Sequence, residues 1–297
     1  MGGTTAPGRH APGSFAQYIV SLGPGSWILV TGCSSGIGRH AALALQQRGY
    51  LVIASARRES DVEDLRRAGL QHVIQLDLAD SDSIRRAVAQ ALALSDGRLA
   101  ALFNNAGYGQ PGAVEDLSRE ALRCQFETNL FGWVELIGLL MPGFLQQPSA
   151  RIVQNSSVLG VVAMRFRGAY NASKFALEGL TDTLRLELAG TSVKAVLIEP
   201  GPIASRFREN ALSAFRQHIR WSESRFAPAY STLMQRLEQE GPIVPFTLGP
   251  EAVTAALIRA LESNHPKARY RVTFPTRLFA LLKRLLPARW LDAIARR

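Results

Sequence analysis

Residues 27–38, WILVTGCSSGIG, join a short apolar run to a turn that carries glycines at 32, 36 and 38. WILVT (27–31) shows no polar alternation, as expected of a strand buried on both faces. An apolar helix through Leu43 and Leu45 follows the turn. Such a strand–turn–helix has two readings: a tight connection, or a cradle for phosphate. In the second, Gly32 lets the chain turn sharply, Gly36 lets backbone approach a pyrophosphate, and Gly38 lets helix and sheet pack closely. The helix N-terminus adds free N–H groups and the positive end of its dipole. Ser34 and Ser35 supply hydroxyls, and Ile37 lies in the same bordering stretch.

Outward from this turn the same alternation repeats. LVIAS (51–55), HVIQL (72–76), LAALF (99–103), RIVQN (151–155) and VKAVLIE (193–199) read as further strands. Helical stretches separate them. One is expected to start at a capping box formed by Ser60 and Glu63, another at Asp80 or Ser81, and a long one spans 118–146. Short apolar strands alternating with helices specify an α/β fold, a doubly wound parallel sheet covered on both faces, with ligands bound beyond the C-terminal strand ends. Residues 1–25, rich in Gly, Pro, Ala and Ser, read as a loose arm, and 26–275 as a single Rossmann-like domain. Residues 202–249 interrupt the rhythm with a partly helical, aromatic-rich stretch expected to form a substrate lid. Pro250 then opens a core helix through Val253, Leu257 and Leu261.

Composition excludes several classes. The chain has 297 residues and a formal net charge of +10. Six basic residues against one acidic residue fall within 277–297, so half of the excess is local and no nucleic-acid-binding body is implied. Two cysteines make no disulfide framework and fit a reducing cytoplasm; Cys33 reads as a small filler of the turn. The five histidines show no metal-ligand spacing, and no 18-residue apolar run predicts a membrane-spanning helix.

The end of the second strand selects the nucleotide. Ala56 stands where an acid would bind a ribose 2′-hydroxyl, and Arg57 and Arg58 follow, which favours NADP(H) over NAD(H). Asp77, with Leu78 after the third strand, either accepts from an adenine amine or caps the next turn. The reaction centre is sought in AYNASKFALEGL (169–180), where Tyr170 and Lys174 share a helical face. A neighbouring ammonium stabilises a phenolate, and a serine hydroxyl can hold a substrate oxygen beside it.

TGCSSGIG, NNAG (104–107), TNLFG (128–132), the serine before YNASK, and EPGPI (199–203) occur in order, and together they resemble the short-chain dehydrogenase/reductase family over about residues 27–265. The resemblance implies Tyr170 as general acid/base, Lys174 as the residue that tunes it and binds the nicotinamide ribose, and Ser157, 13 residues before Tyr170, as the orienting serine. It implies Asn129 as support for a water-linked proton relay; a satisfied interior amide is the alternative. Asn105, Ala106 and Gly107 would border the cofactor, and Pro200, Gly201 and Ile203 would flank the nicotinamide. At Ser35, where many NADP-dependent members carry a basic residue, this chain departs, which leaves the NADP argument to Arg57.

IEPGPI, FTLGPEAV and LLKRLLP are similar to the branch around hydroxysteroid and retinol dehydrogenases and bacterial NADPH-dependent aldehyde reductases. That likeness implies a lipophilic carbonyl or alcohol substrate. Leu159, Val161, Val162, Met164 and Phe166, with the lid, are the expected pocket lining. A catalytically silent NADP(H)-binding sensor or scaffold is the alternative function. The likeness further implies a homo-oligomer paired through its long helices. The segment 276–297 reads as a basic amphipathic helix, with Leu278, Leu281, Leu282 and Leu285 on one face. It would lie on a membrane surface, over the substrate pocket, or against a partner subunit.

Overall fold

The computed structural model of the chain describes residues 21–239, 241 and 245–295. Through residue 20 the expected loose arm lies outside them, as do Glu240, Pro242 to Val244, and the last two arginines of the basic tail. Residues 21–25 are fixed rather than loose. The Leu22 amide donates to the Leu261 carbonyl at 3.1 Å, the Gly25 amide to Gly49 at 2.7 Å, and Leu22 is buried.

Among the described residues, strands β1 (Trp27–Val30), β2 (Leu51–Ala56), β3 (His72–Gln75), β4 (Leu99–Asn104), β5 (Ala150–Asn155), β6 (Val193–Glu199) and β7 (Arg269–Arg271) form one sheet in the order β3-β2-β1-β4-β5-β6-β7. Every pairing is parallel. The expected doubly wound sheet forms, with its switch point between β1 and β4, where such folds bind ligands. β7 was not expected: RYR is three partly exposed residues with two charges, too short and polar to read as a strand.

The helices are α1 (Gly36–Gln47), α2 (Glu59–Arg67), α3 (Ser81–Leu94), α4 (Arg119–Phe126), α5 (Gly132–Gln146), α6 (Gly168–Glu187), α7 (Phe207–His218), α8 (Ala227–Glu238), α9 (Glu251–Glu262), α10 (Phe274–Leu285) and α11 (Ala288–Ala295). Strand residues alternate between two cores. Ile28, Val30, Val52, Ala54 and Phe103 pack with α1, α2 and α9, whereas Leu29, Ile53, Leu102 and Ile152 pack with α3, α5 and α6. Parallel strands buried on both faces explain the unbroken apolar runs of the sequence.

Two local expectations are corrected. α2 begins at Glu59 behind Arg58, with no side-chain cap, so Ser60 lies inside the first turn and the Ser60–Glu63 box does not form. Glu59 and Asp61 face the positive helix end instead. The Asp80 start holds: its carboxylate accepts from the Asp82 amide at 2.9 Å. The second correction concerns the helical run Arg119–Gln146, which by length and composition is long and apolar enough to cross a membrane. Trp133, Leu136, Leu140 and Phe144 bury its inner face in the sheet core. A π-helical turn, Glu127–Phe131, separates α4 from α5 within it.

Candidate active site

The turn after β1 has the backbone that a phosphate cradle needs. Gly32 and Gly36 adopt φ of +70° and +54°, which L side chains rarely tolerate. A Cβ on Gly38 would stand 2.2 Å from the Gly32 carbonyl oxygen, so only glycine lets α1 start this close to the sheet. Ser35 occupies the N-cap of α1 without a side-chain hydrogen bond, and the first turn holds no acid. The N–H groups of that turn are thus left to a ligand, as a dinucleotide's pyrophosphate requires. Ile37 packs partly into the core behind them. Cys33 is buried, donates to the Val30 carbonyl, and has its thiol pushed up to about 12 by burial, as befits a filler.

The loop after β4 is sewn to this turn. Asn105 donates to the Thr31 carbonyl at 3.0 Å and accepts from Asn155 at 2.9 Å. Ala106 lies so near Gly32 that a Cβ there would come within 2.6 Å of it, and Gly107 abuts Asn129. Asn104 bonds Gln154 across β4 and β5 and serves the sheet. After β6, Pro200 accepts from the Val158 amide at 2.7 Å, and a side chain at Gly201 would collide with Thr273. Ile203 pairs with Leu248, which brings Ser205 against Gly36. These contacts bring the predicted stretches 32–38, 105–107 and 200–203 together at the C-terminal edge of the sheet.

At the far end of β2, Ala56 is buried and Arg57 and Arg58 are exposed. Arg58 leans 3.6 Å from Asp61, whereas the charge of Arg57 acts on Tyr108, beside the loop after β4. Asp77 takes the capping role: its carboxylate accepts from the Ala79 amide at 3.0 Å. Leu78 is buried in the core beneath Gly132, so its side chain does not line the groove.

Tyr170 and Lys174 lie on α6, and Ser157 just past β5. All three are buried. The Lys174 ammonium donates to the Asn155 carbonyl at 2.7 Å and stands 4.5 Å over the Trp133 ring. Burial pushes it down to about 7, against the opposing pull of Glu178. Burial pushes the Tyr170 phenol up to about 12, and both Ser157 and the guanidinium of Arg167 act to lower it. Lys174 was expected to be the tuning cation. Its Nζ is 5.7 Å from the phenol's ring centroid and gives one of its three N–H donors to the Asn155 carbonyl.

Asn129 sits in the π-helical turn, and both ends of its amide bind Tyr108 backbone, at 3.1 Å and 2.8 Å. The satisfied-amide reading describes its side chain, which fixes the loop bordering the groove. The stretch expected to form a lid holds α7 and α8 with their connections. Phe207 opens α7 and meets the Tyr170 ring edge-on at 5.3 Å. Phe215, Tyr230, Phe226 and Phe166 instead form a small core of their own. Phe166 thus supports the lid rather than lining a pocket, and Val162 is buried while Met164 is exposed.

The comparisons agree with this geometry. The pattern described as short chain dehydrogenase matches residues 26–214. An Escherichia coli K12 protein named uncharacterized oxidoreductase YbbO is 41% identical over 267 residues, covering 90% of this chain and 93% of that protein. Human retinol dehydrogenase 8 is 32% identical over 260 residues, covering 82% and 79%. A Streptomyces avermitilis short-chain dehydrogenase structure aligns with a TM-score of 0.70 at 28% identity, covering 91% of this chain and 93% of that one. A Burkholderia phymatum family structure in complex with NAD aligns at 0.73 and 25% identity, covering 92% and 96%. The chain belongs to the short-chain dehydrogenase/reductase family, oxidoreductases that act on alcohol and carbonyl groups with a nicotinamide cofactor.

Proposed function

We propose that this chain is an NADP(H)-dependent reductase or dehydrogenase of apolar aldehydes, ketones or alcohols. The observation that carries the reading is the buried Tyr170–Ser157 pair at the mouth of an acid-free phosphate groove. The nicotinamide, when bound, supplies or accepts the hydride. Tyr170, held near 12, stands protonated at neutral pH and gives its proton to the developing alkoxide. Ser157 steadies the substrate oxygen, Lys174 holds the ribose end, and Asn129 keeps the bordering loop in place. Phe207 over Tyr170, and the likeness to a human retinol dehydrogenase, support a lipophilic substrate.

The cofactor choice rests on Ala56, Arg57 and Arg58. Ala56→Asp places a carboxylate where the 2′-phosphate would lie and is expected to shift the NADP(H)-to-NAD(H) ratio of kcat/KM toward NAD(H) by about 10²-fold. Steady-state assays of hexanal, retinal and a ketosteroid with each cofactor test both halves of the reading. An unchanged ratio removes the NADP assignment. NADPH that binds but is not oxidised by any carbonyl leaves a nucleotide sensor.

The C-terminal helices support a peripheral membrane role. Thr276 and Ala280 turn inward on α10, while Leu278, Leu281 and Leu285 are exposed, joined by Trp290 and Ile294 of α11. The leucine stripe therefore does not cover the protein's own pocket. Lys283, Arg284 and Arg289 flank it, the charge an anionic bilayer attracts. Leu281→Glu with Leu285→Glu should abolish co-sedimentation with phosphatidylglycerol vesicles at unchanged thermal stability. Undiminished sedimentation rules the surface out. Phe131, Val134 and Leu139 along the long helix, and Phe175, Leu180 and Leu186 on α6, are also exposed and suit a second copy of the chain.

A further inference from the structure

The loop from Tyr108 to Pro111, after β4, is held from two sides by buried amides. On one side, Gln125 of α4 and Asn129 of the π-helical turn stand four residues apart and bond the same backbone. Gln125 donates to the Tyr108 carbonyl at 2.9 Å and accepts from the Gln110 amide at 2.6 Å. Asn129 donates to that same carbonyl at 2.8 Å. Gly109 lies between these anchor points and faces the site. A Cβ on it would stand 2.7 Å from Phe207 Cζ and 3.6 Å from Tyr170 Cδ2.

On the other side is α7. The Gln110 side chain is fully buried, and its amide nitrogen donates to the Pro111 carbonyl at 2.8 Å. A carbonyl only accepts, so Oε1 is the end that faces His218. His218 Nδ1, 2.8 Å away, therefore carries a proton and donates it. The two ends of α7 thus meet two consecutive loop residues: Phe207, its first, packs on Gly109, and His218, its last, bonds Gln110. Among the described residues, the hydrogen bonds of the other α7 side chains stay local. Arg208 donates to the Gln239 and Gly241 carbonyls, Arg216 pairs with Glu238 of α8, and Glu209 pairs with Arg206. Apolar contacts gather at the His218 end, where Phe215 meets Tyr230 at 5.1 Å and Ile219 is buried. The Phe207 end is half-buried.

We propose that His218 is a positioning residue that sets substrate size: through Gln110 it holds α7 across the loop, so that the Phe207 ring stays over Tyr170. This rests on the reading of Tyr170 as proton donor to an apolar carbonyl. Such a carbonyl must reach Tyr170 and Ser157, each only 8% exposed. A slender aldehyde displaces the Phe207 ring little. A fused-ring ketone needs the ring to swing away, and α7 resists while its other end is bonded. Breaking that bond leaves Gln110 Oε1 buried without a donor, which is costly.

The test uses the full chain with His218→Leu, which removes the donor, and His218→Asn, whose Nδ2 stands where Nδ1 stood. In His218→Leu the ratio of kcat/KM for a ketosteroid to that for hexanal, with NADPH, should rise roughly fivefold, as loss of one hydrogen bond to a closed state allows. His218→Asn should keep the wild-type ratio. A merely structural histidine would lower the active fraction for both substrates alike and leave the ratio unchanged. Phe207→Ala removes the cover and keeps the bond, and should raise the ratio at least as far. No rise in Phe207→Ala overturns the proposal, also where His218→Leu fails to fold. Hydrogen exchange needs no turnover. In His218→Leu the amides of 108–110 and 207–218 should exchange faster while those of β4 and β5 keep their protection. Unchanged exchange there overturns the hold on α7. Faster exchange with an unmoved ratio overturns the role in substrate size, and a ratio raised equally in His218→Asn overturns the hydrogen bond as its source. A wild type that reduces no carbonyl defeats the functional reading, while hydrogen exchange still decides whether His218 holds α7.

Discussion

Tyr170→Phe is expected to lower turnover by about 10³-fold while leaving NADPH affinity within about threefold of wild type. The variant keeps the ring, so the edge contact with Phe207 at 5.3 Å and the buried volume remain. It removes a single buried donor. No neighbour can replace it: Ser157 is a weaker acid than a phenol, and the Lys174 ammonium is anchored at the Asn155 carbonyl, 5.7 Å from the phenol's ring centroid. The residues proposed to hold the nucleotide, at 32–38 and 105–107, are untouched, so binding is expected to persist. Fluorescence titration with NADPH and single-turnover oxidation of the bound cofactor measure the two quantities separately. Turnover near the wild-type rate would end the assignment of Tyr170, whatever the fold.

Lys174→Met carries the second-largest expected loss, on the order of 10²-fold in turnover, because it removes the donor proposed to hold the nicotinamide ribose. It also has a thermodynamic signature. Burial lowers the ammonium from 10.5 to about 7. The folded-state pKa therefore lies below the unfolded one. Below pH 7 both states hold the proton, and the fold bears the full cost of burying the charge. Between about 7 and 10 only the unfolded chain holds it, so this group makes the native state more stable as pH rises, by about 1.4 kcal/mol per pH unit at most. Methionine has no such dependence. The melting temperature of wild type relative to Lys174→Met should climb steadily from pH 6 to pH 9. A difference that is flat across this range, or that falls, shows an ammonium which stays protonated in the fold.

The sheet was legible because its strands are buried on both faces. VKAVLIE, read as residues 193–199, is β6 residue for residue. The phosphate turn was legible for a different reason: three glycines, each forced by backbone geometry, leave a spacing that survives in one dimension. The capping box was misread for a physical reason. Ser60, like Asp77 and Asn129, is a small polar residue, and what such a residue bonds depends on which backbone atoms tertiary packing brings near. The lid aromatics read as one lining, yet only the folded chain separates Phe207, over Tyr170, from Phe215 and Phe226, which hold the lid together. β7 was illegible because charged residues are ordinarily solvated, and only their pairing with the buried Glu199 makes them informative.

β7 has a consequence for how such chains can be recombined. Glu199, at the end of β6 before the Pro200 loop, is fully buried; Arg271 meets it at 3.0 Å, and Arg269 meets it at 3.0 Å and Glu178 of α6 at 3.1 Å. Glu178 in turn lies one turn beyond Lys174 and acts on its charge. The family pattern stops at residue 214, some fifty residues before these arginines. A chimera spliced at that limit would import a foreign partner, or none, for two interior carboxylates beneath the catalytic helix. The core that such a graft must keep whole runs past Arg271 as well, because buried Thr273 and Thr276 at the start of α10 pack against Gly201.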